Sequence, residues 1–139
     1  MGAWGVGSLE NDSSQDWLIE FCENGVPVAV ETLDAADESR DDGYIDADVG
    51  SGIVALAELL AASLGKPDPA LSDQIAAPVG QYKADLLALQ GLKPRLITAL
   101  GAVMSNSEMS ELYDLWDEAG EFEAWAAQMD ALRARLEAA

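Results

Sequence analysis

Apolar residues recur along this chain at steps of three and four, the spacing of one face of an α-helix. The longest stripe runs Ile45, Val49, Ile53, Leu56, Leu60 and Leu64 and predicts a helix over 44–64. Gly50 and Gly52 fall inside it at a cost of about 1 kcal/mol each. They imply close packing against another backbone, or a start nearer Ser51. A second stripe, Phe122, Trp125, Met129, Leu132 and Leu136, predicts a closing helix, with Glu121 and Glu123 at its positive end and Arg133 and Arg135 at its negative end.

Shorter patterns fill the rest. Asn11-Asp12-Ser13-Ser14 offers capping side chains, with Gln15 in capping-box spacing from Asp12. The helix that follows places Trp17, Leu18, Phe21 and Cys22 on one face and stops at Asn24-Gly25. In Val26–Val30 the β-branched residues favour a strand, whereas Pro27 suits a first helical turn. Val26, Val30 and Leu33 keep a helical spacing, so a short helix to about Asp37 is expected, then a charged loop over 38–42 closed by Gly43. A short helix is expected over 71–77 before Pro78. Another starts at Tyr82, passes Leu86 and Leu89, and is broken or kinked at Pro94 before Leu96, Leu100, Val103 and Met104. Ser105-x-x-Glu108 reads as a capping box for a helix carrying Met109, Leu112, Tyr113 and Trp116. No alternating apolar run argues for a sheet. The expected fold is all-α, a single domain over 1–139 with about five to seven helices and an irregular Gly-rich N-terminal segment.

Length and composition agree with a folded body, because half of the 139 residues are apolar. No run approaches the roughly 18 apolar residues of a membrane span. The opening lacks the basic and apolar regions of a secretory signal, and Val6 stands where a myristoylation signal needs Ser or Thr. The single cysteine, Cys22, allows no internal disulfide. A cytoplasmic location is the expectation.

Charge narrows the function further. Twenty-six Asp and Glu face seven Lys and Arg, with no histidine, for a net charge of −19. Residues 1–65 carry 14 acids and one base, 66–105 three acids and four bases, and 106–139 nine acids and two bases. Such a field repels nucleic acid and anionic membranes and attracts basic proteins and cations. Without histidine the chain lacks the commonest general base and transition-metal ligand. Cys22 has no His partner to make a thiolate pair, and its place on an apolar helix face reads as core. The Gly2–Gly7 run lacks the Lys-Ser/Thr ending of a phosphate loop. Pairs such as Asp117 and Glu121 could do acid–base work, yet they arise by chance in so acidic a chain.

Asp46-Ala47-Asp48-Val49-Gly50 invites comparison with a calcium loop. Counted from Asp46, however, position 5 is Gly50, position 6 is Ser51 and position 12 is Ala57, so the pattern fails. A looser divalent site from Asp41, Asp42, Asp46 and Asp48 remains as a weak candidate beside a solvated acidic helix entry. Trp17, Trp116 and Trp125 are expected as core anchors, with partner contact second. The candidate partner-binding residues are Glu31, Asp34, Asp37, Glu38, Asp41, Asp42, Asp46 and Asp48, opposed locally only by Arg40.

The leading expectation is a non-enzymatic module that binds a basic protein, in the manner of an immunity or antitoxin protein. The alternatives are an acidic nucleic-acid mimic that inhibits a DNA-binding protein, and a divalent-metal enzyme or sensor. No cofactor, direct nucleic-acid contact or membrane partner is expected, and the pattern carries no signal for oligomeric state. Met1-Gly2-Ala3-Trp4-Gly5-x-Gly7, Asn11-Asp12, Asp16-Trp17-Leu18 and Tyr44-Ile45-Asp46-Ala47-Asp48-x-Gly50 together resemble a family of short acidic bacterial proteins, domain of unknown function 4259. The likeness runs over nearly the whole chain. It departs at Leu9-Glu10, where the family more often has Phe-Asp. The resemblance implies a small cytoplasmic helical domain and supplies no activity. The motif itself reads structurally: Trp4 folds back onto the bundle, Asn11 or Asp12 caps the first helix, and Gly50 allows close approach.

Overall fold

The computed structural model describes residues 5–139. The expected burial of Trp4 falls outside this range. Seven α-helices are present among the described residues: α1 Asp12–Asn24, α2 Val26–Asp42, α3 Ala47–Ser63, α4 Ser72–Leu87, α5 Leu92–Val103, α6 Glu111–Glu118 and α7 Phe122–Ala138. A 3₁₀ turn, Pro69–Leu71, leads into α4. No strand forms among these residues, so the fold is all-α.

Helix α3 is the axis of the fold. It packs against α1, α2, α4, α5, α6 and α7, and every residue from Gly50 to Ala61 is buried. The six-residue stripe read from the sequence therefore marks one side of a helix that is buried all round. Gly50, Ser51, Gly52, Ala55, Ala57 and Ala61 occupy much of the remaining circumference, and their small side chains let neighbours approach on every side. The glycines face side chains rather than a second backbone. A Cβ on Gly50 would lie 2.9 Å from Leu112 Cδ1, and one on Gly52 would lie 3.0 Å from Trp17 Cδ1. The helix begins at Ala47, well before Ser51. The Asp46 carboxylate accepts the Val49 N–H at 2.9 Å, and Glu111 Oε1 accepts the Ala47 N–H at 2.6 Å. Ile45 forms a single parallel bridge with Ser110, so α3 and α6 start from the same fixed point.

Several boundaries move from their sequence expectation. Val26–Val30 is helical, and α2 continues through the expected loop at 38–42 to stop at Gly43, whose φ is 85°. Pro78 does not end its helix. It sits buried inside α4, in a stripe with Leu71, Ile75 and Leu86, and that packing outweighs a local penalty of about 3 kcal/mol. The expected break near Pro94 lies between Leu87 and Leu92, where Gly91 has a φ of 72°, and Pro94 itself sits in the first turn of α5, which needs no proline N–H. Ser105 is not an N-cap; its hydroxyl donates to the Ala102 carbonyl at the end of α5, and Ser110 is the N-cap of α6. At α1 the cap is Asn11, whose Oδ1 accepts the Ser14 N–H at 2.8 Å, while Gln15 reaches the Leu9 carbonyl. Between α1 and α2, Gly25 combines a φ of 76° with a Tyr82 ring atom 2.7 Å from where a Cβ would stand. No other residue type fits there without strain.

Cys22 is exposed, which corrects its expected place in the core. Trp116 and Trp125 are buried as anchors, whereas Trp17 is half-buried. One charge enters the core. Glu58 of α3 is 1% exposed and takes Arg135 Nη1 of α7 at 2.8 Å, with Ser8 Oγ donating at 2.5 Å. Arg135 thus has a specific buried partner, and Arg133 pairs with Glu137 on the surface. Glu10 has a local role, because its carboxylate curls back to accept the Gly7 N–H at 3.1 Å.

A candidate acidic docking face

Helices α1 and α2 turn acidic edges outward. On α1, Asp12, Asp16, Glu20 and Glu23 are exposed at steps of 4, 4 and 3. On α2, Glu31, Asp34, Glu38 and Asp41 are exposed at steps of 3, 4 and 3, with Asp42 beside them. The alternation of these edges with buried Leu18, Phe21, Val28, Leu33 and Ala36 follows from amphipathic helices laid on α3.

The eight carboxylates singled out from the sequence divide into four roles. Asp34 and Asp37 hold Arg95 of α5, with Nη2 at 3.4 and 2.6 Å, and Asp37 also meets Arg40 at 3.6 Å. The Asp37 hydrogen bond, then the negative charge around it, raises the already high Arg95 pKa. Asp46 caps α3, and Asp48 accepts a hydrogen bond from Ser13 Oγ at 2.7 Å. Glu31, Glu38, Asp41 and Asp42 are exposed and form no ion pair among the described residues. No group of three or more Asp, Glu or Cys side chains able to hold a metal ion exists among the described residues. Asp41, Asp42, Asp46 and Asp48 are therefore not assembled as a cation site.

Between α1, α2 and α3 lies an open groove that the sequence did not reveal. It consists of two adjoining cavities, of about 230 and 250 Å³, which share Trp17, Glu20 and Asp48. The wall is made by Trp17, Val28, Thr32, Ala35, Val49 and Gly52. Asp16, Glu20, Glu31 and Asp48 line it as well, and no basic residue does. Trp17 is held at two points. Its Nε1–H donates to Thr32 Oγ1 at 2.9 Å, and its ring stacks on Phe21 with centroids 5.3 Å apart and planes 15° apart. Thr32 Oγ1 is itself oriented by donating to the Val28 carbonyl at 2.7 Å. The signal present in the sequence was the 12, 16, 20, 23 spacing of acids on the helix that carries Trp17. Its meaning depended on knowing that Thr32 and Gly52 stand beside that tryptophan.

Partial desolvation, then the Glu23 charge, raises the Cys22 thiol pKa, which disfavours the reactive thiolate. Tyr44 is also raised, by loss of hydration and by Glu111, Asp114 and Asp46. Asp117 and Glu121 are both exposed. No single helix among the described residues is long and apolar enough to cross a membrane.

No curated protein and no solved structure matches the chain. Residues 2–128 match the family model described as Domain of unknown function (DUF4259). That match takes in the glycine-rich opening, the Asn11 cap, all of α1 to α6 and most of the exposed acids. The protein belongs to the DUF4259 family.

Proposed function

We infer that this protein is a non-enzymatic binding module whose acidic face engages a basic protein, in the manner of an immunity or antitoxin protein. The observation that carries this reading is the outward edge of α2. Glu31, Glu38, Asp41 and Asp42 stand exposed without ion-pair partners among the described residues, in a chain of net charge −19. Like charges so arranged repel one another, and a basic partner relieves that repulsion on binding. Their complementarity governs the encounter rate and its salt dependence.

Affinity capture from the source cell tests the reading, with wild type and a Glu31→Gln, Glu38→Gln, Asp41→Asn, Asp42→Asn variant compared at low and high salt. These four side chains cap no helix and hold no arginine, so the variant should fold. The expected result is a basic protein, retained by wild type at low salt, released at high salt, and lost by the variant. Mixing the purified pair should then abolish the partner's own activity. A partner held equally well by both proteins at low salt would make the acidic edge a solubilising surface only. Release of the partner by duplex DNA would instead favour the nucleic-acid-mimic reading.

A further inference from the structure

We propose that the groove around Trp17 is the anchor point of the acidic face and receives one arginine side chain presented by the basic partner. The proposal builds on the reading above and narrows it from a surface to a site. Three features of the groove select this occupant.

The first is sign. Four carboxylates, Asp16, Glu20, Glu31 and Asp48, converge from three helices with no basic residue among the lining. The second is the wall. Trp17, Val28, Ala35 and Val49 offer apolar surface for an aliphatic stem, and an indole attracts a cation that comes over its face. A guanidinium combines the planar stacking surface and forked donors that such a site rewards, whereas an ammonium is a compact, strongly hydrated point charge. The third is preorganisation. Thr32 and Phe21 fix the indole, and Gly52 leaves it room, so little side-chain freedom is lost on binding.

Two variants of equal charge change separate this site from diffuse attraction. Glu20→Gln with Glu31→Gln removes two charges that line the groove. Glu38→Gln with Asp41→Asn removes two from the same face outside it. All four residues are exposed and none forms an ion pair among the described residues, so both variants should melt at or slightly above the wild-type temperature, to the same extent. The probes are blocked peptides of alternating glycine and arginine, with lysine or neutral citrulline replacing arginine as controls. Binding is read at low salt by calorimetry and by the indole N–H resonance of Trp17, assigned through Trp17→Phe. The arginine peptide should shift that resonance saturably and bind more tightly than the lysine peptide, while citrulline leaves it unmoved. The groove variant should weaken arginine-peptide binding about tenfold, the scale of losing two solvent-screened charge partners of one cation, and the outer variant by less than about twofold. Equal losses in the two variants, or a Trp17 resonance unmoved while peptide binds, overturn the anchor and leave the acidic-face reading standing. Absence of binding by any basic peptide to wild type overturns both.

Discussion

Among the described residues of this very acidic chain Glu58 is the one carboxylate in the core, and its position can be explained by its partners. Burying an ion is costly unless an opposite charge and hydrogen bonds replace water, and Arg135 and Ser8 supply both. The contact joins the central helix, the last helix and the segment before α1, which are far apart in sequence. Arg135→Ala should therefore destabilise the fold by about 3–5 kcal/mol, because it strands a buried charge. Arg133→Ala should change stability by less than about 1 kcal/mol, because its pair with Glu137 is exposed and screened. Urea denaturation of the two variants checks the contrast, and equal midpoints would remove Glu58 from the stabilising core. Sequence spacing assigned both arginines alike to the helix dipole. Only the partner across the fold distinguishes them.

Among the elements, α3 sets the geometry of the rest. Its two glycines are expensive in helix propensity, and the return on that expense is close contact with Leu112 on one side and Trp17 on another. Gly52→Val should push against an indole that Thr32 and Phe21 hold in place, costing about 1–3 kcal/mol by overpacking. The same variant should move the Trp17 indole resonance, since the ring is the neighbour that must give. An unchanged denaturation midpoint with an unchanged resonance would show the ring to be freely accommodating. The periodicity of α3 was legible in the sequence, as were the stripes of α5 and α7. Pro78 was misleading for a physical reason: proline carries a local cost, and the stripe from Leu71 to Leu86 gains more by docking on α3 than one lost hydrogen bond removes. The charge of residues 38–42 suggests a loop, yet a charged run is equally the solvent side of a helix.

For the whole molecule, charge is the property with measurable reach. Four of the seven bases, Arg40, Arg95, Arg133 and Arg135, already sit in ion pairs, leaving a large excess of unscreened carboxylates. Repulsion among them opposes compaction, and the Debye length falls from about 30 Å at 0.01 M to about 8 Å at physiological ionic strength. Adding sodium chloride from low ionic strength should thus raise the melting temperature by several degrees. Screening also weakens the surface pairs, but each of those is worth about 0–1 kcal/mol, and the Glu58 pair is shielded by burial. A melting temperature that falls with salt would mean that the ion pairs outweigh the repulsion.

The sequence by itself determined the class of fold, most of the helices, the family and the sign of the surface. Each of these depends on local spacing, on a matched motif or on a sum over residues, so no knowledge of contacts is needed. Tertiary structure decided what the spacing could not. It buried α3 on all sides, turned Cys22 outward, carried α4 through Pro78, and divided the eight acids among capping α3, bonding Ser13, pairing with Arg95 and facing solvent. It also brought Trp17, Thr32 and Gly52 together from three helices to form a groove. These outcomes depend on which residues meet across the chain, and a one-dimensional pattern fixes a residue's face without naming the neighbour that covers it.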